Sequence, residues 1–368
     1  MHHITRRSAL CSAAGVLLLK PVFAAVRDDR FDKAVGILEQ SVASRQVRAA
    51  SLFVQSGDLQ MSQSFGEATT EDAAFLLGSI SKPIAMTALM TLYDKGKFRL
   101  DDPAQKYLPE FQGGARARVT MRHLLTHTSG LPDQLPQNAE LRAKHATLAD
   151  FVEGALEVPL HFEPGTQYEY SSMAILLAAG IAQRLSGVEI KQFVNQSVLQ
   201  PLGMQHSAMG VGQLQPDQMM QCQVEFGVVE SGGGSADSKS WDWNSPFWRQ
   251  LGAPWGGVQA SAADVGKFLR EFLHPTGKLF KPEVAKLMIR NHNAAGIESR
   301  GLGFDVGMES ACPGCAPATF GHTGSTGTIA WADPARDLIC VVLTTLPAGA
   351  LPAEKHPRQI ASDCIASR

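Results

Sequence analysis

The sequence predicts an α/β (α+β) fold: an antiparallel sheet built from both chain ends, flanked by helices, with an inserted helical lobe. The prediction rests on three observations. A helix pattern and two strand patterns open the chain, the middle is helical, and four strand patterns and a helix close it. We expect the sheet subdomain over about 25–98 and 260–368 and the helical lobe over about 99–259. A chain of 368 residues suffices for one large domain of this kind.

The opening of the chain supplies one helix and two strands. Apolar residues recur on one side of 31–43, which predicts an amphipathic helix. Strand patterns follow over 50–55 and 59–65, joined by the turn sequence Ser56-Gly57-Asp58. Residues 84–92 then repeat an apolar side chain every fourth position, so we expect a buried helix there.

The middle of the chain is predicted to be helical, and its end returns to strands. Helical patterns, two of them preceded by the capping residues Thr120 and Ser261, cover 105–111, 121–125, 148–156, 173–185, 190–199 and 262–272. Strand patterns cover 301–307, 319–321, 327–332 and 338–344, and a closing helix covers about 353–367. We expect these last strands to share one sheet with the two opening strands.

Between 206 and 257 the patterns weaken, and most tryptophans of the chain lie there. They are Trp241, Trp243, Trp248 and Trp255, close to the flexible stretch 231–235. Aromatic residues in a long loop either line a binding cleft or anchor the loop to the core. The sequence leaves both interpretations open.

The composition argues against nucleic-acid and membrane partners. A formal net charge of −2 gives no electrostatic attraction for nucleic acid. No apolar run approaches the ~18–20 residues that a membrane-spanning helix needs. We therefore expect no nucleic-acid partner and, after removal of an export signal, no membrane span.

The first residues of the chain have the pattern of such a signal. A twin-arginine sequence lies at 5–10, an apolar stretch at 13–19, and small residues suited to cleavage at 22–24. The pattern predicts a signal peptide over 1–24 and a mature domain over 25–368 that is periplasmic or secreted. The alternative is an amphipathic N-terminus that frays.

Cysteine and histidine spacing gives weak signals. Cys312 and Cys315 form either a local disulfide, a pair of structural thiols or, least in keeping with their context, a catalytic pair. His123 and His127 are four residues apart, which suits metal binding from one helix face, but no third ligand is apparent. We therefore predict hydrogen-bonded structural histidines, no metal site and no cofactor.

The most informative short motif is Ser79-Ile80-Ser81-Lys82, at the start of the buried helix pattern. Residues three apart share a helix face, so the Lys82 amine is expected beside the Ser79 hydroxyl. An adjacent base that takes the hydroxyl proton turns a serine into a nucleophile. The alternative is a helix-capping serine followed by a surface lysine.

Two further segments complete a pattern with this motif. Tyr170-Ser171-Ser172 precedes a predicted buried helix, and His322-Thr323-Gly324-Ser325 lies at the edge of a predicted strand. Stretches reading GKFRLDDP, HLLTHTSGL and PWGG accompany them. Together they resemble the serine β-lactamase and penicillin-binding-protein superfamily, closest to its class C β-lactamase, esterase and D-aminopeptidase branch, over about 30–365.

The resemblance implies catalytic roles for three side chains. Ser79 matches the acylated nucleophile, Lys82 the motif lysine that helps to deprotonate it, and Tyr170 the tyrosine that acts as general base and acid. A phenol has a normal pKa of about 10, so we expect cations near Tyr170 to stabilise a phenolate. The backbone N–H groups of Ser79 and Ser325 match the oxyanion hole. The alternative for Tyr170 is a core or helix-capping residue.

The remaining matches concern substrate binding and include two departures from the family. Thr323 and Gly324 follow the family motif, but His322 stands where the family has a lysine, and Ser172 stands where it has an asparagine. Histidine has an unperturbed pKa of about 6.5, so we expect a titratable cation instead of a permanent one. The alternative for His322 is a strand-edge residue without ligand contact.

The resemblance implies an exported serine hydrolase without a cofactor. Its expected substrate is a small ester, amide or peptide, as in an esterase, a D-aminopeptidase or carboxypeptidase, or a β-lactamase-like enzyme. The alternative, suggested by the missing asparagine, is a catalytically idle relative that binds peptidoglycan fragments or peptides.

Overall fold

A six-stranded antiparallel sheet takes its strands from both ends of the chain. The computed structural model describes residues 29–228, 231–308 and 312–367. The strands are β1 (Ala49–Ser56), β2 (Leu59–Gly66), β3 (Phe75–Leu76), β4 (Ser207–Met209), β5 (Val258–Ala260), β6 (Asp305–Val306), β7 (Phe320–Gly324), β8 (Thr328–Asp333) and β9 (Leu338–Thr344). The order across the large sheet is β2-β1-β9-β8-β7-β6. The pairing of β1 with β9 joins the two chain ends and confirms the predicted sheet.

The helices agree with the sequence patterns wherever the pattern is long. They are α1 (Asp29–Ala43), α2 (Ser81–Asp94), α3 (Met121–Leu125), α4 (Asn138–Ala143), α5 (Leu148–Glu157), α6 (Ser172–Ser186), α7 (Ile190–Val194), α8 (Pro246–Leu251), α9 (Ala262–Leu273), α10 (Pro282–Met288) and α11 (Pro357–Ala366). Thr120 and Ser261 cap α3 and α9 as predicted. Helix α7 continues as π-helix over Asn195–Leu199, and the closing helix begins only at Pro357.

The short elements were missed. Helices α4, α8 and α10 are six or seven residues long, and strands β3, β4 and β5 have two or three. Such lengths cannot carry a recognisable periodicity. The three strands form a second antiparallel sheet in the order β3-β5-β4. Strand β3 leads directly into the segment that contains Ser79, so this small sheet supports the site.

The two faces of the large sheet bury separate cores. Successive side chains of a strand point to opposite faces. Phe53 of β1 therefore packs into the larger core, with α2, α6 and α9. Its neighbours Leu52 and Val54 pack into the smaller core, beneath α1 and α11.

Two sequence predictions concern membranes and export. No single helix within the described ranges is long and apolar enough to cross a membrane. Only when joined do Ser172–Ser186 and Ile190–Leu199, bent by 80°, have the length and composition of a span. The predicted signal peptide, 1–24, lies outside the described residues.

Candidate active site

The start of α2 brings Ser79 and Lys82 together. Residues Gly78–Ile80 form a 3-10 turn that runs into the helix, so the two side chains share one face. Lys82 is 1% exposed, and its Nζ donates hydrogen bonds to Ser79 Oγ at 3.0 Å and to the Trp255 carbonyl at 3.1 Å. The interpretation as a capping serine and a surface lysine is therefore excluded.

Close backbone packing holds the turn that contains Ser79 against β7. A Cβ on Gly324 would lie 2.2 Å from the Leu77 carbonyl oxygen, so only glycine allows this approach. The hydroxyls of Thr326 and Thr328 donate to the carbonyls of Leu76 and Leu77 at 2.6 and 2.7 Å. This contact joins the two backbone segments whose N–H groups, at Ser79 and Ser325, were predicted to bind an oxyanion.

Tyr170 reaches the same serine from the helical side. It stands two residues before α6, and its hydroxyl hydrogen-bonds with Ser79. Lys82 Nζ lies 4.5 Å from the centre of its ring. Ser171, not Tyr170, caps the helix by accepting from the backbone of Ala174 at 2.9 Å. The helix-capping alternative for Tyr170 is therefore wrong.

The expected phenolate is not supported in the resting site. Burial raises the pKa of Tyr170 well above its usual value, and the Arg300 cation and the Ser79 hydrogen bond offset this only in part. Tyr170 is therefore a neutral phenol at physiological pH and has a proton to donate.

His322 borders the cleft, but not as a titratable cation. Burial, followed by repulsion from Arg300 and Lys82, holds the pKa of His322 well below its usual range. Arg300 Nη2 donates to His322 Nε2 at 2.7 Å, and His322 Nδ1 donates to the Thr323 carbonyl at 2.6 Å. The imidazole is thus neutral, and the expectation of a cation that titrates near pH 6.5 is wrong.

Arg300 supplies the permanent cation, and the sequence analysis missed it. It is 3% exposed, forms an ion pair with Asp305, and lies 5.4 Å from the centre of the Tyr170 ring. It comes from an irregular segment that forms a single bridge to β6. No spacing pattern marks such a residue.

Ser172 is turned away from the cleft. Its hydroxyl donates to Asp133 Oδ1 at 2.6 Å and its backbone N–H donates to the same oxygen at 2.9 Å. The side chain is not among those that line the cleft. The structure therefore gives no support to the predicted contact between Ser172 and a substrate, because Asp133, also missed, engages the hydroxyl.

The cleft beside Ser79 has a volume of about 780 Å³. Its walls include Tyr170, Arg300, His322, Thr323, Gly324, Ser325 and Arg358. None of the four tryptophans of the long loop lines it, and Trp243, Trp248 and Trp255 are buried. The structure therefore favours the interpretation of these residues as anchors for the loop.

The cysteines and histidines singled out by their spacing have partners within the fold or are buried in it. Cys312 and Cys315 are joined as a disulfide. His123 takes part in the capping box of α3, and His127 is fully buried. Within the described ranges, no group of three His, Cys, Asp or Glu residues is arranged to hold a metal ion.

Buried neutral histidines should make the protein acid-sensitive. Burial is the main cause that lowers the pKa of His127 and His322 far below normal and that of His356 to about 4. Below the unfolded pKa of about 6.5, these histidines bind protons in the unfolded state but not in the folded state. The free energy of unfolding therefore falls by up to about 1.4 kcal/mol per histidine and pH unit. We expect urea unfolding to report lower stability at pH 5 than at pH 7.5.

Matched asparagine variants test the contribution of His356, which caps α11. Asparagine is also a good capping residue, so His356→Asn should fold and lose less stability on acidification. His145→Asn, at an exposed position, is the control variant. If stability fell with decreasing pH as steeply in His356→Asn as in the wild type, His356 would not contribute to the acid sensitivity.

Comparison with known proteins agrees with this geometry. A profile of the family described as Beta-lactamase matches residues 35–364. Esterase EstB of Burkholderia gladioli is 30% identical over 295 residues, 72% of this chain and 73% of that protein. A beta-lactamase of Pseudomonas fluorescens is 28% identical over 215 residues, 58% of this chain and about half (54%) of that protein. The solved structure of EstCE1, "a hydrolase with promiscuous acyltransferase activity", gives a TM-score of 0.73 at 21% identity, with 91% of this chain and 99% of that one covered.

The fold and the sequence relationships together define a serine hydrolase of the β-lactamase and penicillin-binding-protein class. The family profile extends over most of the chain. This protein belongs to the beta-lactamase family, as its motifs predicted.

Proposed function

We propose that this protein hydrolyses a carboxylic ester, or a related amide, through a covalent acyl group on Ser79. The observation that carries the proposal is the 3.0 Å hydrogen bond between buried Lys82 and Ser79, with Tyr170 on the same hydroxyl. The similarity to an esterase over 72% of the chain favours esters. An idle binding protein would have no need to keep these three groups in contact.

The proposed reaction has two steps. Ser79 Oγ attacks the ester carbonyl, its proton passes to the Lys82 amine, and the N–H groups of Ser79 and Ser325 stabilise the oxyanion. The Tyr170 phenol gives its proton to the alkoxide that leaves and regains one from Lys82. Water then attacks the acyl-serine, which releases the carboxylic acid and restores the Ser79 hydroxyl.

Labelling of the nucleophile tests the acyl-enzyme directly. A fluorescent fluorophosphonate should attach to the wild-type protein and not to Ser79→Ala, because only the hydroxyl at this position is activated. Ser81→Ala is the matched control, since Ser81 lies two residues away and its hydroxyl accepts a hydrogen bond from the Val258 backbone N–H. Equal labelling of wild type and Ser79→Ala, or none on folded wild type, would rule out the proposed chemistry.

We further propose that the substrate is anionic. Arg358 lines the cleft next to Ser325, and no acidic side chain in the described part of the chain forms an ion pair with it. Burial lowers its pKa to about 10, so the guanidinium remains charged at neutral pH. A cation in a cleft wall without a carboxylate partner favours a ligand that brings one.

The test compares a carboxylate-bearing ester with its neutral methyl ester. Arg358→Met should lower kcat/KM for the anionic ester by about 10- to 100-fold more than for the neutral one, the value of a charged hydrogen bond. A loss common to both esters would reflect the contacts of Arg358 with the Gly324 and Thr328 carbonyls. Arg184→Met, far from the cleft in α6, serves as the control. Equal losses on both esters would remove Arg358 from substrate recognition.

We also propose that the protein acts outside the cytoplasm. The twin-arginine pattern at 5–10 supports export, and the disulfide between Cys312 and Cys315 suits an oxidising compartment. Mass spectrometry of the protein from a periplasmic extract, with a mature N-terminus near residue 25, would establish it. A full-length cytoplasmic form only would contradict it.

A further inference from the structure

His127 has no part in the reaction proposed above, yet it touches the Tyr170 segment at several points. Its ring centre lies 4.7 Å from that of Tyr170, with 36° between the planes. Its Nδ1 accepts from the Ser171 backbone at 3.1 Å, and its carbonyl accepts from the Glu169 backbone at 3.0 Å. One residue therefore holds the backbone on both sides of Tyr170 and one face of its ring.

The backbone of His127 is strained. Its φ angle is +58°, in the left-handed region that residues other than glycine rarely adopt. Such conformations persist where the surrounding structure enforces them, and they cluster at functional sites. Here the strain directs the imidazole inward, where it is 0% exposed and lies against the catalytic tyrosine.

The imidazole has one defined protonation state. Burial, with repulsion from Arg300, Lys82 and His322, holds its pKa well below normal, so the ring is neutral. Because Nδ1 accepts a hydrogen bond, the hydrogen must be on Nε2. That nitrogen is buried and has no hydrogen-bond partner among the described residues.

We propose that His127 is a positioning residue for catalysis, which acts by packing its imidazole ring against Tyr170 so that the phenol stays bonded to Ser79. The inference rests on the proposed function. A neutral ring provides the contact without adding a positive charge beside the Lys82 amine and the Arg300 cation.

His127→Asn separates the ring from the other contacts. Asparagine tolerates the left-handed backbone, and its Oδ1 can replace Nδ1 as acceptor for Ser171. The ring contacts with Tyr170 and Tyr168 are lost. With an ethyl ester, whose alkoxide needs a proton to leave, we expect kcat to fall about 10- to 100-fold, as for a catalytic group displaced by an ångström, with KM within about twofold. His123→Asn is the matched control, because the His123 ring accepts from the Thr120 backbone in the capping box of α3.

A double-mutant cycle with Tyr170→Phe shows whether His127 acts through the phenol. Residues that act as one unit are not additive, so His127→Asn should cost almost nothing once the Tyr170 hydroxyl is absent. The same loss in both backgrounds would overturn the inference. Full activity of Tyr170→Phe alone would instead remove the proposed reaction, which keeps the two failures distinct.

If His127→Asn does not fold, nitrogen-15 NMR of wild-type imidazoles tests the same arrangement. We expect a neutral Nε2–H tautomer for His127 at pH 7 whose signals shift in Tyr170→Phe. A charged ring, an Nδ1–H tautomer or unchanged signals would overturn the inference.

Discussion

Lys82→Met is expected to slow acylation of Ser79 by about 10²- to 10⁴-fold, the usual contribution of a general base. The amine that lies 3.0 Å from Ser79 Oγ is removed, while a side chain of similar length remains. Because Lys82 is 1% exposed, an apolar replacement should fold at least as well as the wild type. Burst-phase kinetics with a p-nitrophenyl ester measure the acylation step itself.

Lys95→Met is the control for Lys82→Met. Lys95 follows the last residue of α2 and is exposed, so its loss should leave acylation unchanged. An acylation rate for Lys82→Met within a few-fold of wild type would mean that another group takes the serine proton.

Tyr170→Phe should also cost about 10²- to 10⁴-fold, but the loss should depend on the leaving group. The phenol is protonated in the resting site, because burial raises its pKa. A donor of this kind helps an alkoxide to leave far more than it helps p-nitrophenolate, which needs little protonation. We therefore expect a larger loss on an ethyl ester than on a p-nitrophenyl ester with the same acyl group.

Tyr93→Phe provides the comparison for Tyr170→Phe, because Tyr93 lies in α2 and packs edge-on against Phe98, away from the cleft. Its activity on both esters should match the wild type. If Tyr170→Phe lost the same activity on both esters, Tyr170 would act in the attack of Ser79 and not in the departure of the alcohol. The pH profile from 5 to 8 should show no step from Tyr170.

Much of the site could be predicted because its signals are local. The spacing of Ser79 and Lys82 fixes their contact, since it follows from helix geometry alone. Tyr170 and His322 were identified through the resemblance to the family, because sequence spacing does not predict contacts between distant parts of the chain. The expected sheet was also predictable, because its strands are long enough to alternate in polarity.

The residues that escaped prediction come from irregular segments. Arg300 and Asp305 meet across a single bridge, and Asp133 reaches Ser172 from a loop 39 positions earlier in the chain. These residues also change the chemistry that the sequence suggested for the side chains beside them. Histidine at 322 was expected to titrate, but Arg300 and burial keep it neutral, and only a three-dimensional environment sets such a shift.

The contacts of the last helix bear on C-terminal truncation of this protein. Arg358, in α11, donates from Nη1 to the Gly324 carbonyl at 2.6 Å and to the Thr328 carbonyl at 2.8 Å. It therefore holds the end of β7, next to Ser325, whose N–H group is the proposed oxyanion donor. A truncation ahead of Pro357 would retain every signature motif between Ser79 and Ser325 but would remove these contacts of Arg358. The motifs alone therefore do not make the site complete.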